Sequence, residues 1–124
     1  VFPRFRVNSG GVQTANYVSS RLSFDGVAEG TGAATDHILI SDGTGDVPNT
    51  GEGVNGYIES FGPLDGTAIC KMWNGVVSFR STTKQNVVVV SGQWNGGTGA
   101  VTGFEVTMNS GNITSGTVRV LGLR

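Results

Sequence analysis

Apolar and polar positions alternate along much of the chain, and glycine interrupts the pattern too often for long helices. Residues 12–25 and 76–91 are the longest stretches without glycine. In the second, Val87-Val88-Val89-Val90 sets β-branched residues in succession, which lose side-chain freedom in a helix and suit a sheet. In the first, Val18, Ser20, Leu22 and Phe24 share one parity, a strand period. Val18 and Leu22 also stand four apart, so a short helix is the other reading of that stretch. The pattern predicts about nine strands, over residues 5–8, 17–24, 37–41, 57–61, 67–73, 76–80, 87–94, 103–108 and 117–121. Between them lie turn signals. Asn74-Gly75 is a two-residue hairpin signal, because a type I′ turn needs positive φ at both positions. Asn95-Gly96-Gly97 and Ser110-Gly111-Asn112 mark two further turns.

Composition supports the same class. The 124 residues include 21 glycines without a three-residue period and only 14% charged residues. Collagen and disordered chains are both excluded by those values. The expected fold is all-β, an antiparallel β-sandwich of jelly-roll type with about eight to nine strands. Residues 1–124 form one domain, large enough to bury roughly two-thirds of its extended-chain surface. A lone Cys70 excludes an internal disulfide and reads as a buried small hydrophobe in Ala68-Ile69-Cys70-Lys71-Met72-Trp73. No apolar run nears the ~20 residues that span a bilayer, so no membrane insertion is expected.

Net charge is −1, which offers little to a phosphate backbone, so nucleic acid is not an expected partner. The charges are unevenly placed. Residues 25–65 hold eight of the nine acidic side chains and no Lys or Arg. Within that segment, residues 42–56 form a long connection rich in Gly, Asp, Asn and Pro, and loops of this length are often functional. Asp42-Gly43-Thr44-Gly45-Asp46 offers alternating carboxylates, a hydroxyl and backbone carbonyls. Asp42 and Asp46 are therefore the candidate ligands for calcium, although the segment lacks the register of an EF-hand. No other cofactor is expected.

Catalytic chemistry has few candidates. His37, the single histidine, begins an apolar run and reads as a hydrogen-bonded strand-edge residue. No Gly-x-Ser-x-Gly elbow is present. One Cys and one His do not make a closed zinc shell. The carboxylates fall mostly in glycine-rich turns, where Asp serves the backbone. The chain is expected not to be an enzyme. Trp73, Trp94, Tyr17 and Tyr57 are the candidate sugar-stacking residues, weighed against a role as core or interface anchors. Asn112-Ile113-Thr114 matches a glycosylation sequon, which matters only in a secreted eukaryotic chain.

The last third carries a resemblance. It lies in Val90-Ser91-Gly92-Gln93-Trp94-Asn95, in Ala100-Val101-Thr102-Gly103-Phe104-Glu105-Val106, and in the closing Ser110-Gly111-Asn112-Ile113-Thr114-Ser115-Gly116-Thr117-Val118-Arg119-Val120-Leu121-Gly122-Leu123. These runs resemble the C-terminal β-sandwich of tailed-bacteriophage virion proteins: tail fibres, tailspikes and capsid-surface proteins. Leu121 stands where those domains usually carry an aromatic residue. Gly56-Tyr57-Ile58-Glu59-Ser60-Phe61-Gly62-Pro63 extends the likeness upstream, to cover residues 54–124. The resemblance implies a homotrimeric virion structural domain on the particle surface, with other virion proteins as neighbours. It would sit either at a fibre or spike tip that attaches to the host or on the capsid exterior. It transfers no catalytic or ligand residue. The alternative expectation is a carbohydrate-binding module of jelly-roll type, with bacterial surface glycan as its partner.

Overall fold

The computed structural model describes residues 3–24, 36–39, 53–63, 66–67, 71–80, 85–108 and 110–122. Among them are seven strands and no helix: β1 (Pro3–Asn8), β2 (Tyr17–Ser23), β3 (Ile38–Leu39), β4 (Val54–Phe61), β5 (Lys71–Arg80), β6 (Gln85–Trp94) and β7 (Gly103–Met108). They form two antiparallel sheets. Sheet A runs β3-β1-β7 and sheet B runs β2-β6-β5-β4. The expected all-β, sandwich-like architecture is present, with fewer strands than the pattern predicted.

Two corrections account for that difference. Residues 67–73 and 76–80 were expected as separate strands about an Asn74-Gly75 hairpin. Instead β5 runs straight through both residues, and neither has a positive φ. Asn74 pairs with Glu59 on one side and Ser91 on the other, and Gly75 pairs with Ile58 and Val90. Two full ladders outcompete one local turn. Gly75 suits this place because a Cβ there would collide with the carbonyl oxygen of Tyr57. The second correction is at the C-terminus. Residues 117–121 form no strand, and every described residue from 110 to 122 is exposed. The turn before them is present, with Gly111 at φ 74°. Residues 17–23 are strand rather than helix.

The side chains of β5 and β6 alternate strictly between the two faces. Trp73, Val77 and Phe79 of β5 meet Val88, Val90 and Trp94 of β6 on the inner face, and all are buried. Sheet A covers that face with Phe5, Val7 and Ile38. Ile38 lies over Gly92, where a Cβ would stand 2.7 Å from its side chain. The Phe5 ring tilts against Trp73 at 5.9 Å. In β2 the inward parity is Tyr17, Ser19 and Arg21, so Val18, Ser20 and Leu22 face solvent.

Asn74→Thr separates the two readings of β5. Thr favours an extended, half-exposed strand position and disfavours a type I′ turn. The expected result is unchanged or raised stability, by up to about 1 kcal/mol, in urea denaturation. Gly75→Ala is expected to cost about 1–3 kcal/mol by overpacking.

Candidate functional site

The four aromatic residues singled out from the sequence do not share a surface. Tyr17, Trp73 and Trp94 are buried to within 3% of full enclosure and belong to the core. Tyr57 alone is open, at 58% exposure on β4. A platform built from all four is therefore not assembled, because strand parity turns the first three inward. Trp94 packs its ring over Gly96 in the following turn, and Gly96 has no Cβ to obstruct it.

Tyr17 has a structural task that its hydroxyl performs. The Val7 N–H donates to the Tyr17 oxygen at 2.9 Å, and the phenol donates to the Gln13 carbonyl at 3.0 Å. The Gln13 N–H in turn donates to the Val7 carbonyl at 2.9 Å. Residues 13 and 17 thus stand in for a neighbouring strand beside Val7, beyond the short β3. Burial pushes the Tyr17 phenol above its ordinary value of 10, outweighing the hydrogen bond from Val7 and the nearby Arg6 charge, which lower it.

A charged cluster lies on the outer side of sheet A. Arg6 Nη2 meets Asp36 Oδ2 at 3.0 Å, and Arg6 Nε donates to the Asp36 carbonyl at 2.9 Å. Glu105, opposite Arg6 across the β1–β7 ladder, lies 3.7 Å from Nη1. His37 is buried, and its Nδ1 sits 2.6 Å from Asp36 Oδ1. The cluster fastens residues 36 and 37 of the acidic segment to β1 through Arg6. Among the described residues no three His, Cys, Asp or Glu side chains gather as a cation shell. Asp42, Asp46 and Cys70 lie outside the described residues.

The outer face of sheet B is the most distinctive surface. The registers place side chains there in rows across four strands. One row runs Val18, Gln93, Met72, Phe61, and another runs Leu22, Val89, Val76, Tyr57. Between them lies a polar row of Ser20, Ser91, Asn74 and Glu59. Val18, Leu22, Phe61, Met72 and Val89 are each at least 41% exposed. A depression of about 240 Å3 opens among Val18, Ser20, Met72, Ser91 and Gln93. These largely apolar rows, flanking a polar one, leave apolar side chains open to solvent on a single face, as contact surfaces do. Sequence reasoning found the strands but not this face. Its signal was the run Val87–Val90, whose apolar residues point to both sides. No protein-family model matches the chain, and neither a curated protein nor a solved structure matches it.

Tyr17→Phe leaves the Val7 N–H buried and unbonded, at an expected cost of about 1–3 kcal/mol in chemical denaturation. A raised phenol pKa in the fold means that its contribution is complete below pH 10. That contribution is lost as pH climbs through the raised value. The stability gap between the native chain and Tyr17→Phe is therefore expected to narrow above pH 10. A gap constant up to pH 12 contradicts the assignment.

Proposed function

We propose that the chain is a non-enzymatic structural domain of a bacteriophage virion, assembled as a homotrimer. It stands at a tail-fibre or tailspike tip, attaching to the host surface, or on the capsid exterior. The observation that carries this reading is the amount of apolar surface left open by one chain. It includes the two apolar rows of sheet B and Ile113, Val118, Val120 and Leu121, exposed at 53–82%. Monomeric soluble proteins rarely leave contiguous apolar patches of more than a few hundred Å2 in solvent. Permanent interfaces are apolar in this way. The resemblance over residues 54–124 supplies the virion setting, and those residues include β4 to β7 and the open C-terminal segment. A jelly-roll relationship is supported by two nested pairings, β1 with β7 and β2 with β6. The consecutive β4-β5-β6 meander departs from it.

A second reading rests on Tyr57. It projects from the outer face of β4 between Asn55 and Glu59, and all three are exposed. An exposed aromatic ring flanked by an amide and a carboxylate is what a sugar-stacking site needs: a flat apolar face with hydrogen-bonding groups beside it. Attachment to bacterial surface glycan would use this position.

Light scattering coupled to size exclusion is expected to give a mass near three protomers at micromolar concentration. A monomer overturns the assembly reading. For the second reading, Tyr57→Ala is expected to weaken binding of host surface polysaccharide at least tenfold in calorimetry. Binding that survives the substitution unchanged removes Tyr57 from the site. Tryptophan fluorescence is a poor reporter here, since both indoles are buried.

A further inference from the structure

Among the described residues sheet A is one strand narrower than sheet B, and the difference has a definite place. β3 lies against β2 and β6. β1 lies against β5 through Phe5 and Trp73. The Val101 N–H, just before β7, donates to the Pro63 carbonyl, just after β4, at 2.7 Å. Sheet A therefore proceeds from β3 to β7 as sheet B proceeds from β2 to β4. A further strand beside β7 would lie over the inner side of β4. That side is open, with Val54, Gly56 and Ser60 exposed and only Ile58 packed against the core.

The edge of β7 is prepared for such a strand. The Asn8 carbonyl is turned toward the β7 side, where it accepts from Thr102, whereas the N–H and C=O of Val7 point away from β7. In an antiparallel ladder these directions alternate. Hence Phe104, Val106 and Met108, which lie opposite Val7, Phe5 and Pro3, direct their backbone groups to the free edge. Their side chains lie on the inner face. Val106 and Met108 touch the core, and the Phe104 ring stacks on Phe5 at 5.5 Å while remaining 41% exposed.

The same chain carries an unused strand. Residues 117–121 read Thr-Val-Arg-Val-Leu, with alternating parity, yet they take no part in either sheet. Nothing lies within 4 Å of the positions that a Cβ would occupy at Gly111, Gly116 and Gly122. Every described residue of this segment is exposed.

We propose that residues 117–121 of one copy add as the fourth strand of sheet A in a second copy, along the free edge of β7. All pairings within both sheets are antiparallel, and the added strand continues that rule. Val118 then lies opposite Val106 and Val120 opposite Phe104, extending the core over β4. Arg119 lies opposite Glu105 on the outer face, so the two charges attract. At about 3.4 Å per residue, five residues cover most of the six-residue edge. The segment and the edge it fits are different surfaces of one molecule. Such a contact is head-to-tail, and it generates a ring when the rotation closes. The inference rests on the self-assembly reading above and names the contact that produces it.

Two measurements test it. The first compares the mass of the full chain with that of a Val118→Asp, Val120→Asp variant, with circular dichroism checking that each is folded. The expected result is an oligomer for the full chain and a folded monomer for the variant. If both are oligomers of one size, assembly stands and strand exchange is overturned. If the full chain is a monomer, the assembly reading itself falls and the inference with it. The second pairs Glu105→Cys with Arg119→Cys in a Cys70→Ser background. These positions face each other without backbone hydrogen bonds between them, at the close spacing that a disulfide can bridge. Mild oxidation is expected to give covalent dimers and trimers on non-reducing gels. A disulfide within one chain would mean that the segment folds back on its own β7, and no disulfide at all would mean that it does not reach the edge. Either outcome overturns the proposal.

Discussion

The seating of sheet A on the inner face of β5 and β6 determines everything else in this molecule. β6 offers Gly92 where a side chain of the opposite sheet approaches closely, and Ile38 fills the space. A Cβ at Gly92 would lift β3 from the sheet and open the space that Ile38, Phe5 and Trp73 now fill. Burying a side chain such as Ile38 contributes about 1.5–3 kcal/mol, so the contact is worth a large share of a small domain's stability. Once β3 is fixed there, β1 must lie over β5, and β7 follows toward β4. Three strands then cover four, which leaves the inner side of β4 open.

Much of the fold was legible in the alternation of apolar residues. β2, β6 and β7 fall within a residue or two of the predicted strands, because 17–24 and 103–108 show a period of two, the valine run is β-branched throughout, and no turn signal competes. Parity was less legible. In β2 the apolar Val18 and Leu22 look like a core face, yet Tyr17, Ser19 and Arg21 point inward. Tyr17 decides this, since its hydroxyl is needed beside Val7 and a one-residue shift would reverse every side chain. The Asn74-Gly75 signal misleads for a related reason. A turn propensity is local, whereas the pairing of β5 is a sum over eight residues with β4 and ten with β6.

The candidate surface was not legible because it depends on register between strands distant in sequence. Val18, Met72 and Phe61 come into one row only after β2, β6, β5 and β4 are aligned. Nothing in the local sequence of any one strand states that alignment. The aromatic residues illustrate the point in reverse. Tyr57 and Tyr17 are chemically alike, but one is exposed and the other is buried, because their strands present them to opposite faces.

Low charge content and the open inner side of β4 both fit the proposed assembly. A chain with only 14% charged residues has few groups with which to keep apolar rows hydrated and apart. Exposed strand edges invite pairing, and proteins that must stay monomeric blunt them with charge, proline or bulges. β7 carries one charged residue, Glu105, and the proposed pairing sets Arg119 opposite it. The C-terminal segment likewise keeps its apolar alternation without a shielding partner in its own chain. A sequence selected for solitude would have changed one of these two features. Keeping both is economical when each completes the other in a neighbouring copy. The bare inner side of β4 is then a seat left for that neighbour.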